Sequence, residues 1–249
     1  MRSLGKVFKE QPADDKRFTF YHTNGFAHEQ LPVVTQTTPT DISYMHWGLI
    51  PAGVKSKDDK IKYWKMGYTL NARSEEIFTT WSFKENIKGH RCLIPATGFF
   101  EWREFNGEKY PYLIQVKDPD FPDDTTPFCF AGVYDHWADK ETGEVIDGFA
   151  IITTGANPMM KTIHVNVKRE DAGGRMPVIV SPANYAAWLN PDTSAEDLVK
   201  IMKPYPEKYM QAYTISKLIT SRKIDPNAPE TLQFHPAPEL EEETSFNMM

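Results

Sequence analysis

The chain has only two cysteines in 249 residues, Cys92 and Cys129, and neither lies in a CxxC or Cys/His pattern. That spacing argues against a zinc site, and no metal is expected. Both sit in apolar, strand-like runs, where a free cysteine behaves as a small buried side chain. A disulfide between them would need an oxidising compartment. No apolar run approaches the roughly 18 residues of a membrane helix, so no membrane partner is expected. The opening, Met1-Arg2-Ser3-Leu4-Gly5-Lys6, leads into polar sequence rather than the apolar stretch of a secretory signal; the expected compartment is the cytoplasm. Walker A, GxGxxG, GxSxG and HExxH motifs are all missing, so nucleotide hydrolysis, Rossmann redox and zincin chemistry have no support, and no cofactor is expected.

Positive charge is also short: the formal net charge is −6. An acidic chain is a poor general polyanion binder, so a nucleic-acid partner requires basic residues gathered in one place. One such place exists. Lys55-Ser56-Lys57-Asp58-Asp59-Lys60-Ile61-Lys62-Tyr63-Trp64-Lys65, continuing to Tyr68 and Arg73, interleaves lysines with aromatics. Lysines track phosphates and aromatic faces stack bases in single-strand binders. The other reading is a solvated loop whose Tyr63 and Trp64 anchor it to the core.

Residues 1 to about 20 are polar and read as a frayed start, 21–225 as one domain without linker or repeat, and 226–249 as a Pro/Glu-rich tail with a solvated acidic end. The middle reads as β. Runs at 99–104 and 110–116 flank Asn106-Gly107, a strong hairpin signal because both turn positions need positive φ. Further strands are expected at 91–95, 128–134, 148–154 and 178–180, with a second hairpin turn at Thr142-Gly143. Helices are few: one after Ser181-Pro182, one after Ser194 with Asp197 completing a capping box, and one or two turns from Pro158. Strands with interspersed helices and no βαβ alternation indicate an α+β fold on antiparallel or mixed sheets.

Candidate site residues follow from local chemistry. Asn71 and Arg73 are two apart, so in an extended segment both point to one face. An amide beside a guanidinium suits a phosphate or sugar oxygen, and a hydrogen-bonded loop is the alternative. Glu101 is embedded in Gly98-Phe99-Phe100-Glu101-Trp102. Apolar surroundings disfavour a charged carboxylate and suit it to acid–base work; strand alternation would instead turn it outward. His164 follows Ile163, where it can shuttle protons near neutral pH or serve a structural role.

The ordered blocks Trp47-Gly48-Leu49-Ile50-Pro51, Asn71-Ala72-Arg73-Ser74-Glu75, Arg91-Cys92-Leu93-Ile94-Pro95, Gly98–Trp102, Ile163-His164 and Arg175-Met176-Pro177-Val178-Ile179 resemble the SRAP (SOS response-associated peptidase) family over about two-thirds of the chain. The resemblance implies a single compact α+β domain of curved antiparallel or mixed sheets, barrel-like, with a few peripheral helices. It implies binding of single-stranded DNA containing abasic sites, as a monomer in the cytoplasm, nucleoid-associated when on DNA. In the family, a cysteine at position 2 attacks the ring-opened sugar aldehyde. Its amine and thiol close a thiazolidine, giving a DNA–protein crosslink that shields the lesion; the same cysteine underlies the name peptidase.

By motif position, the resemblance makes Glu101 the proton carrier, His164 the histidine acting beside it, and Asn71 the amide that orients the amine and sugar. Arg73 matches a phosphate-binding arginine, Trp47 and Trp102 match aromatics lining the cleft, and Thr153 fits the family layout. Arg175 and Lys65 complete the DNA-binding set. Residues 165–174 intervene between His164 and Arg175 where the family keeps them close, so Arg169 competes with Arg175 for the DNA contact. The chain also opens Met1-Arg2 rather than Met-Cys. Either a Met-Cys segment lies upstream, or this is a homologue that binds single strands without crosslinking; an autoprocessing cysteine peptidase is a third reading. All these assignments require Asn71, Glu101 and His164 to converge on one slot.

Overall fold

The structure, a computed structural model, describes residues 20–55, 57–118, 120–121, 124–140, 142–164, 174–221 and 225–240. The start at 1–19, the run 165–173 with Arg169, and the acidic end at 241–249 lie outside the described residues. In chain order the elements are β1 (Gln30–Thr35), β2 (Ile42–Trp47), α1 (Lys57–Met66), β3 (Asn71–Arg73), α2 (Asn86–Gly89), β4 (Arg91–Ala96), β5 (Phe99–Phe105) and β6 (Glu108–Lys117). They continue with β7 (Thr125–Thr126), β8 (Phe128–Ala138), β9 (Val145–Gly155), α3 (Pro158–Ile163), β10 (Arg175–Pro177), β11 (Ile179–Val180), α4 (Tyr185–Leu189), α5 (Ala195–Ile201) and β12 (Met210–Thr214).

Five strands close a barrel in the order β9-β2-β1-β4-β8, with β8 returning to pair with β9. β3, β10 and β11 extend this eight-stranded sheet, and β12-β6-β5 with β7 form a second sheet of four. The fold is thus α+β with a barrel-like mixed sheet. Its parallel element is local: β2 and β3 both run parallel to β9.

The hairpins stand where turn chemistry puts them. β5 and β6 pair with Phe105 opposite Glu108, leaving a two-residue loop in which Asn106 and Gly107 take φ of 49° and 80°. That is the doubly left-handed loop that matches strand twist. Between β8 and β9, Gly143 takes φ of 74° and the Asp139 side chain accepts from the Thr142 N–H.

Alternate residues of β9 feed two cores. Ala150 and Ile152 join Ile87, Tyr185, Trp188 and Leu198 from the helices. Phe149 and Ile151 join Ile114, Met210, Met160 and Ile163 from the second sheet and α3. Burial on both faces explains why 148–154 reads as a nearly unbroken apolar run.

Two expectations change. The basic stretch is a helix, α1, with Asp58 and Asp59 in its first turn and Lys65 in its last, matched to the helix dipole. Tyr63 and Trp64 pack on Ile50, Val54, Trp137 and Ile146, so they anchor the helix rather than offer base-stacking faces. The segment after Pro226 packs back as far as Leu240, which is buried. The Asn227 side chain accepts from the backbone of Tyr21 and His22 at 2.6 and 3.2 Å, and Phe234 bridges to Ile215.

Smaller departures have local causes. At α5, Ser194 accepts from the Asp197 N–H, but the aspartate takes the serine hydroxyl at 2.8 Å rather than reaching its backbone. Aspartate is one methylene shorter than the glutamate of a full capping box.

Arg91 ties the helices to the barrel. It is 1% exposed, and its guanidinium donates to the carbonyls of Trp188 (2.7 Å), Ile87 (2.8 Å), Lys88 (2.9 Å) and Asn190 (2.6 Å). Those of Ile87, Lys88 and Trp188 are last-turn carbonyls of α2 and α4, while that of Asn190, just past α4, also accepts from the Thr193 N–H at 3.2 Å. Replacing Arg91 with Met removes this donor from the carbonyls of Ile87 and Trp188, both buried residues, at about 1–3 kcal/mol for each group that finds no water. Urea denaturation of Arg91→Met is expected to show a loss of about 3 kcal/mol or more; a loss under about 1 kcal/mol would mean that water replaces the guanidinium.

Candidate functional site

Glu101 and His164 meet. β5 alternates, so Phe99 packs on Phe130 in the barrel-side core while Phe100 and Trp102 join Leu113, Ile215 and Ile219 on the opposite face. Glu101 therefore shares the side of Phe99. That side is covered by α3, which the Asn157 side chain caps by accepting from Met160 N–H at 2.8 Å. His164 follows at the end of α3, and its Nδ1 lies 3.1 Å from Glu101 Oε2.

The pair is close but not collinear. His164 Nδ1 is buried and makes no hydrogen bond of good angle, and the contact is an ion pair whenever the imidazole is protonated. Interaction with the Glu101 carboxylate as acceptor raises the imidazole pKa above its usual value, burial opposes the rise, and the carboxylate charge adds to it. Such contacts commonly tighten only when a substrate closes over them.

Asn71 and Arg73 lie exposed on one face of β3, with Ala72 buried between them. Parallel pairing sets Asn71 opposite Ile151 and Arg73 opposite Thr153. On the far side of β9, Arg175 pairs with Gly155. Its side chain crosses the strand: Nε donates to Thr153 Oγ1 (3.1 Å), Nη2 to the Thr153 carbonyl (2.7 Å), and both Nη atoms to the Glu75 carboxylate (2.9 and 3.3 Å). Burial alone would raise the Glu75 pKa, but the Arg175 hydrogen bond, the residue's own backbone N–H, the Arg175 charge and Ser74 outweigh it and hold the carboxyl below its ordinary value. Arg73, by contrast, is about half exposed, with Glu76 at 3.9 Å.

The row continues toward the acid–base pair. Ala156 N–H donates to the Gly174 carbonyl, and a Cβ at Gly174 would lie 3.1 Å from the His164 carbonyl oxygen. His164, Gly174-Arg175, Thr153 and Arg73 are thus successive neighbours across β10, β9 and β3.

Trp47 sits at the other end. It pairs with Phe149, stacks on that ring at 6.4 Å, and donates from Nε1 to the Leu70 carbonyl at 3.0 Å, one residue before Asn71. Its placement steadies β3. Trp102 departs from the expected cleft: adjacent strand residues face opposite ways, so it packs away from Glu101. Lys65 is exposed on the last turn of α1.

A cavity of about 370 Å³ opens elsewhere, beside α1, lined by Gly53, Asp59, Lys62, Tyr68 and Trp81 among others. None of Asn71, Glu101 and His164 lines it. Tyr68 and Trp81 are 62% and 54% exposed, so their ring faces are available. A Cβ at Gly53 would lie 2.3 Å from the Trp81 ring; the bare glycine lets the indole lie over the backbone. Trp81 carried no motif in the sequence, and its only signal was an aromatic in a polar stretch. Among the described residues no group of three or more His, Cys, Asp or Glu could hold a metal ion.

Comparisons with known proteins identify the family. The profile of the family described as SOS response associated peptidase (SRAP) matches residues 2–222. This chain belongs to that family. Among SRAP relatives, the abasic site processing protein YoqW of Bacillus subtilis is 35% identical over 207 residues, covering 82% of both chains. The abasic site processing protein HMCES of Xenopus tropicalis is 31% identical over 178 residues, covering 66% of this chain and 49% of that protein. A crystal structure of a Bacteroides thetaiotaomicron protein superposes with a TM-score of 0.76 at 38% identity, covering 88% of this chain and 86% of the other.

The Glu101–His164 pair has a titration signature. With its folded-state pKa raised, His164 contributes stability that is fully present below its unfolded value and is lost as pH rises through the folded value. The imidazole NMR titration of His164 is expected to have its midpoint above 6.5, the ordinary value. Glu101→Gln should drop that midpoint, because burial then acts unopposed. An unchanged midpoint in the variant would show that the two groups are not coupled.

Proposed function

We propose that this chain binds single-stranded DNA at abasic sites, with Glu101 and His164 as the proton-handling pair at the ring-opened sugar. The observation that carries the reading is the 3.1 Å Glu101–His164 contact, with Thr153, Arg175 and the exposed Arg73 as the neighbouring row. Arg73 and Arg175 are the guanidiniums for phosphate, Asn71 the amide for the sugar or an attacking amine, and Lys65 an outlying cation. Exposed Tyr68 and Trp81 beside Lys62 add stacking faces near a positive charge, the composition single-strand binders use. The relatives named for abasic site processing support the same reading.

The chemistry of such a site is acid–base. An amine adding to the C1′ aldehyde forms a carbinolamine, which loses water to give an imine; a neighbouring thiol then adds to the imine carbon and closes a thiazolidine. A carboxylate can take the proton from the attacking amine, and a protonated imidazole can give one to the departing hydroxyl. The fold holds such a carboxylate and imidazole side by side.

Binding without crosslinking is the second reading, favoured by the cysteines. Cys92 and Cys129 are both fully buried; burial raises both thiols, that of Cys129 up to about 12. Neither can act as the nucleophile, and for the same reason neither supports a cysteine peptidase.

Fluorescence anisotropy with a single-stranded oligonucleotide carrying one abasic site tests the proposal. Tighter binding than to the intact strand is expected. Affinity should fall with salt, with a log–log slope of about −0.7 for each phosphate neutralised. Binding that ignores salt, or no preference for the lesion, would overturn it. An adduct surviving denaturation is expected from a version beginning Met-Cys and should fade in Glu101→Gln.

A further inference from the structure

Arg175 and Glu75 are connected more tightly than a surface ion pair requires. A guanidinium has five N–H donors. Four of those on Arg175 are taken within the described residues: one by Thr153 Oγ1, one by the Thr153 carbonyl, and two by the Glu75 carboxylate. The side chain is 29% exposed and Glu75 is 53% exposed, so the clamp is reachable from solvent. Glu75 follows β3, Thr153 is on β9 and Arg175 on β10, so one side chain pins three strands at the row described above.

Resting on the single-strand reading, we propose that Glu75 is a positioning residue for phosphate recognition: its bidentate grip holds the Arg175 guanidinium across β9, with the remaining Nη1 N–H left for a DNA phosphate oxygen. Thr153 is the second half of the same grip. Four fixed donors leave the fork no freedom to turn, so the phosphate contact is made without first ordering a long side chain. Arg73, about half exposed with an i,i+3 carboxylate at 3.9 Å, has no such clamp among the described residues. The two arginines thus divide the work: one fixes register, the other adds charge.

The inference makes a prediction of unusual sign. Removing a carboxylate beside a polyanion site should, by charge alone, tighten binding and leave the number of phosphates contacted unchanged. A positioning role predicts the reverse. Glu75→Gln keeps the size of the side chain and removes its charge. It should weaken binding of an abasic single-stranded oligonucleotide by about tenfold, the scale of one lost charge-assisted contact. It should also make the salt slope shallower by about 0.7, one phosphate's share. Arg175→Ala should show the same two changes, and Glu75→Gln in the Arg175→Ala background should add no further loss. Thr153→Val, which removes an anchor without changing charge, should weaken binding by about threefold.

The experiment is anisotropy across a salt series on the full chain and these variants. Tighter binding by Glu75→Gln, or weaker binding with an unchanged slope, overturns the positioning role. Additive losses in the double variant overturn it too, since independent contacts add. If Glu75→Gln unfolds, Thr153→Val decides by the same affinity and slope criteria. No binding by the unaltered chain would sink the single-strand reading and this inference together, whereas binding by the unaltered chain with any of the contrary variant results sinks this inference alone.

Discussion

The structure depends on β9 having more neighbours than a strand has edges. Its early residues pair with β8 on one side and β2 on the other, closing the barrel. Beyond Ile151 those partners give way, and the same two edges are taken over by β3 and β10. The eleven residues of β9 do this because its partners replace one another along the strand. The exchange brings short segments from distant parts of the chain, 71–73 and 175–177, to the same end of the barrel. Strands that short have little stability of their own; they are held by the register they share with β9.

That register also explains why polar groups collect there. Where β9 is flanked by β2 and β8, its alternate residues enter two cores, and polar side chains would be buried without partners. At Thr153 the burial along β9 loosens, and that residue is flanked by Arg73 on β3 and reached by the Arg175 side chain from β10. Thr153, Arg73 and Arg175 occupy this margin, where the Arg175 guanidinium is fixed by its partners and that of Arg73 is exposed. α3 covers the next stretch of the same face and sets His164 against Glu101, the one titratable pair whose coupling raises an imidazole there. At His164 and Glu75, both partly exposed, the hydrogen bonds and charge of neighbouring groups outweigh burial, which acts the other way.

Much of this was legible in the chain because it rests on local rules. Asn106-Gly107 dictates its turn by φ alone, and the two-residue spacing of Asn71 and Arg73 places them together once the segment is extended. Alternation correctly opposed Glu101 to Phe100 and Trp102. It could not show that a helix covers the face of Glu101, nor that Trp102 is thereby turned from the site, because both depend on a layer packed from elsewhere in the chain. α1 was hidden for a similar reason: its inward contacts are Tyr63 and Trp64, two adjacent residues that leave no helical period, while its charges look like a loop. The packing of 226–240 was hidden because Asn227 and Leu240 act singly, with no repeat to mark them.

The burial of both thiols bears on where covalent chemistry on this scaffold must come from. A five-membered ring closed on one aldehyde carbon needs an amine and a thiol on adjacent carbons of one residue, and in a protein only a cysteine with a free α-amine provides that. Cys92 and Cys129 have their nitrogens in peptide bonds, and both lie in strands: Cys92 opposite Thr35 and Gly132, Cys129 opposite Pro95 and Val180. Their sulfurs fill space in the two cores, where a thiolate would be desolvated. Among the described residues the folded domain thus carries a carboxylate beside an imidazole but no accessible thiol. Separating the acid–base groups from the nucleophile is physically coherent. A nucleophile on a chain end is attached at one point and keeps the freedom to approach a carbon, while acid–base groups act best when rigid. Covalent capture on this scaffold therefore requires a terminal aminothiol, and binding with lesion recognition does not.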